Sequence, residues 1–86
     1  MEIWKYQLEV KNSQVVMMPD KAKVLTIERI HNRPWLFVLV NPIADNINRV
    51  IRTYEEGNLI KGGKYIGTYK DKDDTFIYHM FDDGEE

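Results

Sequence analysis

The side chains of this chain that could do chemistry are few. It has two histidines and no cysteine, and Ser13 is its only serine. Ser13 sits in a turn-forming stretch with no histidine near it in sequence and no flanking glycine elbow, so no activated hydroxyl nucleophile is expected. The absence of cysteine removes thiol nucleophiles, zinc–thiolate sites and disulfides together, and suits a reducing cytosol. His31 and His79 fall in unlike contexts, a loop and a strand, and lack the short spacing that zinc sites favour. His31 reads as a solvated turn residue, and His79 as a half-buried histidine bonded to a backbone carbonyl.

Two motifs fail on inspection. Asp71-Lys72-Asp73 resembles the opening of a calcium loop, but the sixth position is Phe76, where the sharp turn requires glycine. Gly62-Gly63-Lys64 suggests a phosphate loop, yet the lysine comes one residue late and Tyr65 replaces the hydroxyl that would hold magnesium. No catalytic residue, metal site or cofactor is therefore expected. What remains is a mixture that can grip a phosphorylated base by charge and stacking: Arg49, Arg52, Lys61 and Lys64 close to Tyr54, Tyr65 and Tyr69. The candidate ligand set is Arg49, Arg52, Tyr54, Lys64 and Tyr65, set against the plainer reading of surface cations over strand aromatics. Trp4, Trp35, Met17 and Met18 read first as core. The short run 15–18 is nevertheless apolar on both faces beside a proline, which makes Met17 and Met18 candidate partner contacts.

The elements that must position these residues read as strands. Residues 3–10 alternate, with Trp4, Tyr6, Leu8 and Val10 opposite Lys5, Gln7 and Glu9. Lys11-Asn12-Ser13 turns, Gln14 to Met18 is a second extended run, and a hairpin fits the two. Residues 22–30 form a third strand, with Val24, Thr26 and Glu28 opposite Leu25, Ile27 and Arg29. His31-Asn32-Arg33-Pro34 has loop composition, and residues 35–40 follow with no polar residue, as a strand covered on both faces would. Residues 43–49 are left irregular, because Ile43 and Ile47 could mark one helical turn while two asparagines favour a loop. Strands are expected at 50–54, at 65–69 around Gly67, where a bulge or close backbone approach is the usual reason for a glycine, and at 75–81. The result is a mainly β protein: a small antiparallel sandwich or partly open barrel of six to seven short strands. The alternative is an α+β fold with one short helix near 43–49.

The chain of 86 residues carries 43% hydrophobic and 30% charged residues, the balance of one folded domain. A domain this small buries a modest share of its surface, so self-association into a homo-oligomer is a natural option. Formal charge is −2, too little to steer the chain toward nucleic acid. Residues 71–86 hold seven acids against Lys72, a local −6 that leaves +4 on residues 1–70. Residues 1–81 are read as the β-rich domain and 82–86 as an acidic, solubilising tail. No run approaches the length of a membrane helix and the first residues have no leader pattern, so neither a membrane nor secretion is expected.

Several pieces, taken in order, resemble a family of small phage and prophage proteins. They are Trp4-Lys5-Tyr6-Gln7-Leu8, Gln14 to Pro19 with Ala22-Lys23-Val24-Leu25, Pro34 to Pro42, Tyr65-Ile66-Gly67-Thr68, and Phe76 to Phe81. Family members often carry an acid where this chain has Asn41, and a tryptophan where it has Tyr78. The resemblance implies a phage-encoded protein acting in the bacterial host cytoplasm, and it supplies no catalytic residues. With the bare catalytic inventory, this points to a non-enzymatic accessory protein that binds a host protein, in counter-defence or host takeover. Its rivals are a sponge that sequesters a nucleotide signal between Arg49, Arg52, Lys64 and tyrosines, and a virion or assembly component.

Overall fold

A computed structural model describes residues 1–86 as seven antiparallel strands. They are β1 (Glu2–Gln7), β2 (Ser13–Pro19), β3 (Lys23–Ile30), β4 (Arg33–Val40), β5 (Asn46–Tyr54), β6 (Lys64–Lys70) and β7 (Ile77–Glu85). A three-stranded sheet in the order β1-β4-β3 packs on a four-stranded sheet in the order β2-β5-β7-β6, and the two do not close into a barrel. No helix forms near residues 43–49. Instead Asn46 to Arg49 begins β5, whose residues pair with β2 along its whole length. No helix is long and apolar enough to cross a membrane.

Alternation builds the core. Leu36, Val38 and Val40 from β4 are fully buried and meet Met18, Ile51 and Met80 from the other sheet, with Trp4, Tyr6, Val16, Val24, Ile47, Ile66 and Tyr78 packed around them. β4 is central in its sheet, but only this one face is sealed. Trp35, Phe37 and Leu39 point outward and are half-buried, so the polar-free run is not a strand covered on both sides. Lys5 lies over the Trp35 ring at 5.0 Å and shields part of that face. In β7 the expected alternation is present, with Met80 in the core and Tyr78 packed against it. In β3 a bulge after Val24 shifts the phase, so that Val24 and Ile27 both point inward, contrary to a strict alternation.

β1 and β2 are not a hairpin. They belong to different sheets, β1 beside β4 and β2 beside β5. The chain crosses the sandwich between them, carrying buried Leu8, whose amide donates to the Pro34 carbonyl at 2.9 Å. A two-residue hairpin joins β3 to β4 through His31 and Asn32 alone, both at positive φ as such a turn requires, while Arg33 and Pro34 already belong to β4.

Residues 82–86 are not a free tail. β7 runs on to Glu85, pairing Asp82 with Ile51 and Glu85 with Arg49. Between those pairs Val50 of β5 opposes both Asp83 and Gly84 of β7, with Gly84 at φ +85° absorbing the extra residue. Ordinary alternation along β7, in phase with inward Met80, turns Asp82 to the inner face of the sheet and Asp83 to the outer one. Gly67 sits where β6 meets β3: a Cβ there would touch the Cβ of Ile27 at 3.4 Å, beside a register shift between Tyr65 and Gly67.

Candidate functional site

The edge strands β3 and β6 lie next to each other across the sandwich, touching where Gly67 faces Ile27. Beyond that contact a cleft of about 690 Å³ opens between the two sheets. The turn before β3 and its first residues supply Lys21, Ala22, Lys23, Val24 and Leu25; β6 supplies Lys64, Tyr65 and Ile66; Arg49 and Asp82 come from β5 and β7.

Arg49 points inward from β5, where an isolated charge would be costly. Its Nε and Nη2 donate to the two oxygens of Asp82 at 3.0 and 2.9 Å, and Nη2 also donates to the Ala22 carbonyl at 3.0 Å. The side chains are 17% and 11% exposed, so the pair is half-sequestered and its charges cancel. Lys21, Lys23 and Lys64 are exposed and none has a carboxylate within 4 Å. The cleft therefore carries three uncompensated positive charges over a fixed ion pair. Tyr65 borders it, but its ring, 54% exposed, lies on the outer face of the sheet, edge-on to Phe81 at 5.5 Å and with its hydroxyl bonded to Thr68. Val24, Leu25 and Ile66 give an apolar lining.

The candidate ligand set splits in two. Arg49, Lys64 and Tyr65 come together in this cleft. Arg52 and Tyr54 instead line a separate, shallower depression of about 500 Å³ with Asn12, Lys61 and the loop after β5. Arg52 is already engaged: its Nε donates to Asp83 Oδ2 at 2.6 Å, and this hydrogen bond and charge raise the guanidinium pKa above its ordinary value. Tyr54 is buried, accepting from the Lys61 amide at 3.4 Å. Neither is placed to join Arg49 around one ligand. Lys21 and Lys23 escaped the sequence reading because they lie far along the chain from Lys64; only the meeting of the β3 and β6 edges joins them.

The partner candidates also divide, since Met18 is wholly buried in the core and cannot be a contact, while Met17 is 61% exposed. His31 is exposed in its turn. His79 finds the Thr68 hydroxyl at 3.2 Å and Glu56 at 3.8 Å, where a backbone carbonyl was expected. Asp71, which opens the failed calcium motif, accepts from the amides of Thr75 and Phe76 at 2.8 and 3.2 Å and so organises the turn into β7.

A seven-stranded sandwich with a lysine-lined cleft between two sheet edges is the class of protein these features define. The chain belongs to the family described as a domain of unknown function, DUF7352, which matches residues 1–86. No curated protein and no solved structure matches it.

Proposed function

We propose that the chain is a non-catalytic phage accessory protein that works by binding, and that its cleft holds a phosphorylated small molecule of the nucleotide class. One observation carries this reading: Lys21, Lys23 and Lys64 line the cleft from two sheets without carboxylate partners, while the one acid among them is held by Arg49. Lysine ammonium groups act as point charges for phosphate. Val24, Leu25 and Ile66 give the cleft an apolar wall for a base, and the volume falls in the range of small-ligand sites. Such a protein would act as a sponge for a nucleotide signal in the bacterial host cytoplasm.

Calorimetry against linear and cyclic nucleotides, with inorganic phosphate as the reference, tests the reading. Binding by at least one nucleotide, lost in a Lys23→Glu/Lys64→Glu variant, is the expected result. No heat from any nucleotide sinks it.

A second reading, contact with a host protein, is favoured by the outer face of the four-stranded sheet. Val15, Met17 and Tyr65 are exposed there, with Phe81 against Tyr65. In that case capture of a host factor would be lost on changing these residues and kept in the lysine variant.

A further inference from the structure

Each sheet has two edges, β1 and β3 in one and β2 and β6 in the other. Natural edge strands are usually blunted by charge or covered. β3 and β6 cover each other, and Arg29 of β3 ties them by donating to the Lys70 and Asp71 carbonyls at 3.2 and 2.9 Å. β1 carries Glu2 and Lys5. β2, Ser13-Gln14-Val15-Val16-Met17-Met18-Pro19, carries no charge at all.

The backbone phase of β2 follows from the bonds at its two ends. The Thr53 amide donates to the Asn12 carbonyl, and the Asp20 amide to the Asp45 carbonyl. With the register Ser13↔Arg52 to Pro19↔Asn46, the even-numbered residues of β2 turn their N–H and C=O toward β5. The odd-numbered ones turn theirs outward, so Ser13, Val15 and Met17 present unpaired donors and acceptors along the free edge. Pro19 is in the same outward phase, and its missing N–H takes nothing from the β2–β5 ladder.

We propose that this edge pairs antiparallel with β2 of a second copy of the chain, about a two-fold axis through Val16. In that register Val15 lies opposite the partner's Met17 and exchanges both ladder bonds with it, and Met17 does the same with the partner's Val15. Pro19 is fully buried with its carbonyl taken by the Ala22 amide, so the pairing rests on Val15 and Met17. Val16 faces the partner's Val16 across the axis. Val15 and Met17, 47% and 61% exposed, then merge with their symmetry mates into one apolar cluster on a continuous outer sheet face.

The neighbouring symmetric registers are poorer. A two-residue slip one way leaves Met17 opposite the partner's Ser13, and the other way sets Val15 against the partner's Pro19, which has no amide to give. The edge is thus its own complement in hydrogen bonding and in side chains, which is the argument for a second copy over a foreign strand. The contact is smaller than the roughly 800 Å² per partner of a standard interface, so the association is weak and concentration-dependent.

Sedimentation equilibrium of the whole chain up to about 1 mM tests it. A monomer–dimer equilibrium is expected, weakened about tenfold or more by Met17→Lys, which charges the edge strand while leaving the far-UV spectrum and Tm of the monomer unchanged. Because the chain has no cysteine, Val16→Cys should oxidise to a covalent dimer, whereas Ser13→Cys, far from its mate in this register, should not. A monomer throughout the range overturns the proposal. So does a dimer indifferent to Met17→Lys, or cross-linking at Ser13 as ready as at Val16.

Discussion

Arg49 and Arg52 leave the same strand three residues apart, on opposite faces, and Asp82 and Asp83 are neighbours on the next; the two ion pairs they make differ in kind. Arg49 and Asp82 face inward, joined by two hydrogen bonds and anchored further by the Ala22 carbonyl. Arg52 and Asp83 face outward through one short contact, with side chains 36% and 31% exposed. The pleat is what separates the two aspartates, since successive residues of a strand face opposite sides. Burial and not contact distance decides what each pair contributes. The outer pair is closer, but water and salt screen it, whereas removing one partner of the inner pair strands a charge where little water reaches.

The largest expected effect comes from breaking the inner pair. Asp82→Asn keeps the shape and removes the charge, leaving the Arg49 guanidinium without its counter-ion. A loss of about 2 to 3 kcal/mol is expected, read as a fall in Tm of about 10 to 20 °C. Replacing both partners by apolar residues, Arg49→Met with Asp82→Leu, should recover much of that loss, because no uncompensated charge is left. The single variant should also bind anions more tightly per folded molecule, since the cleft gains a positive charge. Calorimetry below its Tm reads that gain separately from the stability change.

The approach of the two edge strands at Gly67 comes next. Alanine there would meet Ile27 at ordinary contact distance and should be nearly neutral. Gly67→Val has nowhere to place its branches without moving β3 from β6, and should cost about 1 to 2 kcal/mol by denaturant unfolding. A variant that unfolds normally but no longer binds in the cleft would show that the gap between the edges is set here.

A smaller effect, of opposite sign, is expected at Thr53. Its hydroxyl is buried with no hydrogen-bond partner, on the inner face two residues beyond Ile51. Thr53→Val removes the unsatisfied group at nearly constant volume and should stabilise the protein by about 1 kcal/mol. An unchanged or lower midpoint in urea would mean that the hydroxyl is satisfied in solution by an ordered water.

Much of this fold was legible because alternation is a local signal. Tyr78 and Met80 against His79 and Phe81, and Trp4 and Tyr6 against Lys5 and Gln7, mark strands and their buried sides. Gly67 within a strand announced both a bulge and a close approach. Pairing was less legible. Lys11-Asn12-Ser13 has turn composition, but a turn does not say whether the chain returns to the same sheet or crosses to the other, as it does after Leu8. The C-terminal acids were misread for a related reason. A cluster of like charges looks solvated until β7 is seen to run on through it, with alternation turning Asp82 inward and Asp83 outward. Of the residues lining the cleft, Arg49, Lys64 and Tyr65 are suggested by proximity along the chain. Lys21 and Lys23 are not, since nothing in the sequence states that the β3 edge meets the β6 edge.

The outer pair gives the smallest effect and the sharpest contrast. The raised pKa of Arg52 means that its stabilisation is present below its unfolded value and lost as pH rises through the folded one, a window too alkaline to use. Tyr6 loses out first. Burial raises its phenol pKa from the usual 10.0, so in alkali the unfolded chain gives up that proton before the folded one does, and stability falls as pH climbs past that value. Tyr6→Phe should blunt that alkaline loss. Salt is therefore the better probe of Arg52 and Asp83. Asp83→Asn should shift Tm slightly at low ionic strength and not measurably in about 1 M salt, where the screening length shrinks to about 3 Å. Asp82→Asn should keep nearly its whole effect under the same conditions, because the inner pair is shielded from the ions that screen the outer one. Equal salt sensitivity of the two variants would mean that Asp82 is no better shielded from solvent ions than Asp83.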